Sequence, residues 1–158
     1  MSTTTEPPAA DAVIRMTRVY DAPRSTVWEA MTKPKHVAQW WGGPGFTNPV
    51  CEMDVRPGGR WRHVMRFPDG RELRMEFVFL EVDAPGKLVW RPVDHANREE
   101  SPPTSVITVT LEDIGEQTRW TVVAQFLSVA ERDAAAAMGF RKPIEASSDR
   151  LVDYLKKL

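Results

Sequence analysis

The sequence predicts an α+β fold in which a long C-terminal helix lies across one face of a curved antiparallel sheet. Three observations predict it. From Phe46 to Phe126 the hydrophobic period is two, and turn residues such as Arg56-Pro57-Gly58-Gly59 and Pro68-Asp69-Gly70 interrupt it at short intervals. From Ser128 to Leu158 the period becomes helical, with apolar or small residues at Ala134, Met138, Ile144, Leu151, Leu155 and Leu158. Between a first alternating stretch and Trp40 lie two short helical patterns. One strand, two short helices, six strands and a terminal helix make an α+β order.

The first strand spans Val13 to Tyr20, where Ile14, Met16 and Tyr20 share the more buried face. Asp21-Ala22-Pro23 then starts a helix carrying Val27, Trp28 and Met31, and Lys33-Pro34 ends it. A second short helix over about Lys35 to Gln39 leads into Trp40-Trp41-Gly42-Gly43-Pro44-Gly45, which continues no regular element. Strands follow over about Phe46 to Val55, Arg60 to Phe67, Arg71 to Val82 and Lys87 to Arg91. Pro92 to Thr104 is a polar, proline-rich loop. Two more strands, Ser105 to Leu111 and Thr118 to Phe126, are joined by Glu112 to Gln117 with Gly115 at the turn.

The terminal helix begins at a capping box, Ser128 with Glu131 three residues on. Gly139 and Pro143 interrupt this long helix with one break: proline lacks an N–H and its ring meets the carbonyl of Gly139, so a kink is expected there. The buried stripe is large at both ends and small in the middle, at Ala146, Ser147 and Ser148. Either a sheet approaches closely over these small residues, or a space is left for a ligand.

The inner faces of the strands follow from their alternation. Trp61, His63 and Met65 oppose Arg60, Arg62 and Arg66; Leu73, Met75, Phe77 and Phe79 oppose Glu72, Arg74 and Glu76. Val78, Leu80 and Val82 make the end of that strand apolar on both sides, as a covered or dimer-forming surface would be. Six tryptophans and seven methionines suit either an aromatic core or a pocket for an apolar or aromatic molecule.

Composition narrows the function. At 158 residues with 42% hydrophobic side chains, the chain has the size of one domain (residues 12 to 158) behind a mobile tail (residues 1 to 11). Basic residues number 21 against 22 acidic ones, so nothing selects nucleic acid or an anionic membrane. A lone Cys51, no secretory pattern at the N-terminus and no long apolar run point to a cytoplasmic protein that inserts in no membrane, as monomer or homodimer.

Read together, Asp21-Ala22-Pro23, Val27-Trp28, Trp40-Trp41-Gly42-Gly43-Pro44, Cys51 through Gly59, Pro68-Asp69-Gly70, Leu88-Val89-Trp90, Thr118-Arg119-Trp120 and Met138-Gly139-Phe140 resemble a known family. Residues 13 to 158 look like a stand-alone domain related to the C-terminal part of the activator of heat-shock protein 90 ATPase, within the START-like (SRPBCC, helix-grip) superfamily. The resemblance implies a hydrophobic cavity between sheet and helix, with lipids, polyketides or other apolar compounds as the ligand class. Relatives often carry a small residue near Phe77, so phenylalanine here narrows that cavity. The superfamily holds binders, cyclases and co-chaperone domains, and no single chemistry follows from it.

The leading expectation is a binding domain for a small apolar or aromatic molecule, with Trp40, Trp41, Trp61, His63, Met65, Met75, Phe77, Trp90, Met138, Ile144 and Ser147 around the ligand. One of Trp40 and Trp41 is expected to line the pocket and the other to pin the helices. The alternatives are a cyclase- or hydrolase-like enzyme in which His63 moves a proton, and an interaction module for a chaperone. No metal or cofactor is expected: His36, His63 and His95 share no ligand spacing, and Cys51 has no cysteine partner. Asp54 is expected to serve the turn that follows it.

Overall fold

The computed structural model describes residues 12–93 and 105–158. The expected tail and most of the loop after Pro92, His95 included, lie outside the described residues. Eleven elements follow in order: β1 (Val13–Tyr20), α1 (Arg24–Thr32), α2 (Pro34–Trp40), β2 (Thr47–Met53), β3 (Arg60–Arg66), β4 (Glu72–Asp83), β5 (Lys87–Pro92), β6 (Val106–Ile114), β7 (Gln117–Gln125), α3 (Val129–Ala137) and α4 (Arg141–Leu155).

The strands form one antiparallel sheet ordered β1-β7-β6-β5-β4-β3-β2. All neighbours except β1 and β7 are joined by direct connections, so β2 through β7 are a meander. β1 and β2 sit at opposite edges, and α1 and α2 carry the chain between them. The meander turns work as their residues dictate. Gly115, at φ +80°, opens a two-residue turn that pairs Ile114 with Gln117. β6 therefore runs three residues further than its alternation suggested, to Ile114 rather than Leu111.

The inner face carries the expected residues. Ile14 and Tyr20 of β1, Trp61 of β3, Phe79 of β4, Leu88 and Trp90 of β5, Val109 and Leu111 of β6, and Trp120 and Val122 of β7 are buried. α1 and α2 bury Val27, Ala30, Met31, Val37 and Trp40 on this face, and α4 buries Leu151 and Leu155. Each such large apolar side chain contributes about 1.5–3 kcal/mol relative to an exposed one.

Two expectations need correcting. The second half of β4 is not an apolar surface of three residues, because a β-bulge falls between Phe79 and Glu81. Phe79 opposes Trp90 and Val82 opposes Leu88, so the extra residue turns Val82 inward onto the core. Only Leu80, 44% exposed, remains a large apolar side chain on the surface there.

The expected break is present, but it separates two helices instead of kinking one, and of Gly139 and Pro143 only the glycine makes it. Gly139, at φ +84°, ends α3. Its N–H reaches Ala136 O and that of Phe140 reaches Ala135 O, a pair of bonds that closes the last turn. Phe140 then packs edge-on against Phe126, with ring centroids 5.3 Å apart. Pro143 is the third residue of α4, where an N–H has no partner within the helix, so it interrupts nothing. Because the helical register restarts at Gly139, α3 buries none of its residues and Met138, its C-cap, is 87% exposed. The expectation that Met138 roofs a pocket is therefore wrong.

Candidate functional site

The space between sheet and helices, where a cavity was expected, is occupied by rings. Trp61 is 2% exposed. Its indole lies 4.8 Å from Phe77, 5.0 Å from Trp41, 5.3 Å from Trp90 and 5.9 Å from Phe79, centroid to centroid. Phe77 thus contributes to filling the interior. Of the two adjacent tryptophans, Trp40 is the pin: it is 4% exposed and its Nε1–H donates to Ala30 O at 2.9 Å, joining α2 to α1. Trp41 is only half-buried and lies over Trp61 and His63.

His63 is 1% exposed and both its nitrogens are engaged. The indole N–H of Trp61 can only donate, so Nδ1 of His63, 3.1 Å away, accepts. The hydrogen therefore sits on Nε2, which donates to Asn48 Oδ1 at 2.8 Å. Asn48 in turn donates through Nδ2 to Ala38 O and Trp41 O at 2.9 and 3.1 Å. Burial lowers the His63 pKa to about 4, which keeps the ring neutral. The chain Trp61, His63, Asn48 ties the sheet to the end of α2, and it leaves His63 no free nitrogen for a reacting group. Cys51, opposite His63 on β2, is likewise shielded: burial pushes its thiol up to about 11.

The small middle of α4 is covered by the glycine loop after α2 and not by the sheet. Ser147 Oγ accepts the N–H of Gly42 at 2.8 Å, and a Cβ on Gly43 would stand 3.5 Å from that of Ala146. The loop approaches this closely because Gly42 adopts φ +89° and carries no side chain toward Phe46. Arg150, one turn further along α4, holds the same loop. Its Nη1 lies within hydrogen-bond distance of the carbonyls of Trp41, Gly42, Gly43 and Phe46, and its Nη2 donates to Gln39 O at 2.7 Å. Of these carbonyls, that of Gly43 also accepts the N–H of Phe46, at 3.1 Å. Met65 faces this end of the interior, near Gly42, and Met75 opposes His63 across β3 and β4.

An open space of about 500 Å³ lies elsewhere, between the free edge of β1 and α4. Met16, Ile144 and Trp120 are its apolar residues, and the rest of its lining is polar or charged: Arg15, Thr17 and Arg18 from β1, and Arg141, Glu145, Ser148 and Asp149 from α4. Arg18 shares the inner face with Met16 and Tyr20, and it donates to Ser148 Oγ at 2.9 Å and Asp149 Oδ1 at 2.7 Å. Ser148 also meets the hydroxyl of Tyr20 at 2.6 Å. Burial, chiefly, pushes that hydroxyl up to about 12, so it keeps its proton. Trp120 is 5% exposed and its Nε1 is the one buried side-chain nitrogen or oxygen without a hydrogen-bond partner among the described residues.

The sequence pattern of the family described as activator of Hsp90 ATPase homolog 1-like protein matches residues 21–156. The chain belongs to that family. Solved structures of several bacterial proteins share its fold. One from Nitrosomonas europaea is 25% identical over 94% of this chain and 96% of its own, with a TM-score of 0.81. One from Mycobacterium smegmatis is 23% identical over 98% of each chain, with a TM-score of 0.80. The protein CalU16 from Micromonospora echinospora is 21% identical over 90% of this chain and 75% of its own, with a TM-score of 0.62. No curated protein matches. The helix-grip architecture of this Hsp90-activator-like chain is thereby shown. Among the described residues no helix is long and apolar enough to cross a membrane, and no three His, Cys, Asp or Glu side chains converge as metal ligands would.

Of the expected ligand-facing residues of this family member, Ile144 borders the open groove, whereas Trp61, His63, Phe77 and Trp90 meet in the interior and Ser147 binds the glycine loop. Asn48, Arg150, Arg18, Ser148 and Trp120 were not singled out. Arg18 carried a signal: alternation puts a cation on the face of Ile14 and Tyr20, and such a group needs a partner across the interior. Arg150 carried another, three residues after Ser147 on one helix face and opposite a glycine-rich loop whose carbonyls need donors.

Proposed function

We propose that this chain is a small-molecule-binding domain whose site is the groove between β1 and α4, not the interior between sheet and helix. The observation that carries this reading is the groove itself. Its volume of about 500 Å³ falls in the range of small-ligand sites, and its lining sets charged and polar side chains of β1 and α4 around Met16, Ile144 and Trp120. Membership of the family supports a ligand-binding or co-chaperone-like domain in general, and the groove favours the first.

A thermal-shift screen of small aromatic and alkyl compounds tests it. A compound that binds only the native state stabilises it by about 2.7 kcal/mol at a hundred times its dissociation constant, a rise of several degrees in Tm for a domain of this size. Ile144→Trp, which fills the groove from α4, is expected to abolish the rise, whereas Leu80→Trp on the opposite face of the sheet is expected to keep it. The reading fails if no compound shifts the parent, or if Ile144→Trp, still folded, responds as the parent does.

A further inference from the structure

The groove follows the free edge of β1. Arg15, Met16, Thr17 and Arg18 all border it, and consecutive side chains of a strand point to opposite faces, so what the four share toward the groove is the edge of their backbone. Hydrogen bonding fixes which backbone groups lie on that edge. Phe126 N–H donates to Ala12 O, and β1 stays in register with β7 from Val13 opposite Gln125 to Tyr20 opposite Thr118, so the even-numbered residues of β1 direct their N–H and C=O to β7. The odd-numbered ones point theirs the other way. Arg15 O shows this, since it accepts from Nη1 of Arg141, on the α4 side of the groove, at 3.1 Å. Thr17, exposed and two residues on, directs its N–H and C=O to the same side, and among the described residues nothing bonds to either. The other edge of the sheet is different. β2 carries Pro49 and a register shift between Thr47 and Val50, devices that keep another strand from adding. β1 has no proline and no bulge over its eight residues.

Resting on the reading of this groove as a ligand site, we infer that its ligand is a short extended peptide that joins β1 as a further antiparallel strand. The ligand residue opposite Thr17 donates its N–H to Thr17 O and accepts Thr17 N–H at its own C=O. Arg141 already holds Arg15 O, so these two bonds are the ones the ligand adds. The next ligand residue toward the C-terminus stands opposite Met16 on the inner face, where Ile144 also borders the groove, and an apolar side chain fits there. The one after it stands opposite Arg15, an exposed cation with no ion-pair partner among the described residues, and an acid fits there.

The test uses the full chain labelled with ¹⁵N and the peptide N-acetyl-Thr-Val-Phe-Glu-amide, whose valine is placed opposite Thr17. Expected are saturable binding, a downfield shift of the Thr17 amide proton, and slow hydrogen exchange at that amide only with peptide present. Alternate ligand N–H groups face β1, so N-methylation of the ligand valine is expected to weaken binding at least about tenfold, and N-methylation of its phenylalanine less than about threefold. Thr17→Pro, which an edge strand tolerates, removes the facing N–H and is expected to weaken the peptide about tenfold. If Thr17→Pro does not fold, the two N-methyl peptides decide. The inference is overturned if the peptide does not saturate, if both N-methyl peptides bind alike, or if folded Thr17→Pro binds as the parent does. It is also overturned if Thr17 is protected from exchange without peptide; protection that grows with protein concentration identifies a second copy as the occupant. Aromatic or alkyl compounds that raise Tm in the parent and not in Ile144→Trp, without binding of the peptide, overturn the peptide and leave the groove as a ligand site; absence of binding by either kind overturns both.

Discussion

The indole of Trp61 donates to Nδ1 of His63 across 3.1 Å, two residues apart on one strand and on one face of it. That bond fixes the tautomer of His63, and with it the direction of every hydrogen bond onward to α2. Protonating Nδ1 would set one donor against another, which adds to the cost of charging a buried ring.

The pH dependence of stability follows. The folded pKa of His63, about 4, lies below its ordinary value of 6.5, so the unfolded chain takes up the proton first as pH falls. The contribution of neutral His63 is complete above about pH 6.5, declines between there and about pH 4, and is absent below. A difference of that size corresponds to about 3 kcal/mol. Denaturant unfolding from pH 7.5 to 4 should show this decline, and His63→Gln should remove most of it. Nitrogen-detected spectra of the parent should show the Nε2–H form throughout the upper part of this range. A ring that titrates near 6.5 in the folded protein would refute the network.

Arg150 is expected to be the most sensitive charged position for stability. Arg150→Met removes the guanidinium that donates to the carbonyls of Gln39 and Gly42 and should cost about 2–4 kcal/mol, read as a lower midpoint at constant m. Arg150→Lys should recover less than half, since an ammonium cannot span from Gln39 O to Phe46 O as the guanidinium does. Equal midpoints for parent and Met variant would mean that the loop holds itself.

Ala146 and Asp153 lie on the same helix in different settings. Ala146→Trp drives a ring into the Gly42-Gly43 loop and should destabilise by about 1–3 kcal/mol, while Asp153→Trp, on an 80% exposed side chain, should change little. An Ala146→Trp protein as stable as the parent would show that space is available there after all.

Gly139→Ala isolates a backbone effect. The added Cβ would meet only Lys142 Cδ at 3.7 Å, an ordinary contact, so the cost comes from φ +84° alone and should be about 1–2 kcal/mol. Gly139→Asn should cost less. Pro143→Ala, in contrast, should be near neutral, because no helical hydrogen bond is missing there to be restored. A large gain from Pro143→Ala would reinstate the kink.

The strands were legible because alternation is a local property: Trp61, His63 and Met65 declare one face within five residues, and Pro68-Asp69-Gly70 declares the turn. What depended on one extra residue was not. The bulge at Leu80 inverts the face of Val82, and a period-two reading has no means of locating it. Gly139 and Pro143 both read as interruptions, and only the glycine is one; position within the first turn decides whether a proline matters, and that position depends on where the helix starts. The site was less legible than the fold. His63 and the tryptophans were placed on the inner face correctly, but whether an inner face encloses rings or a ligand depends on how β3, β5 and α2 converge, which no single strand records. The groove is built from β1, β7 and α4, far apart in sequence, and Trp120 looks like any other buried indole until its N–H is followed to a missing acceptor.

The placement of β1 has a consequence for how the protein is made. Val13 pairs with Gln125 and Tyr20 with Thr118, and among the described residues β1 has no other strand beside it. During synthesis the first strand must therefore wait, unpaired, until nearly the whole sheet has left the ribosome, while the β2–β7 meander can zip up hairpin by hairpin behind it. Closure of the fold is a late, long-range event, and α4, whose Ser148 and Asp149 hold Arg18, emerges only afterwards to lock it. A nascent chain stalled before Thr118 would carry an exposed, β-branched strand with nothing to join, the segment a ribosome-associated chaperone would be expected to meet first.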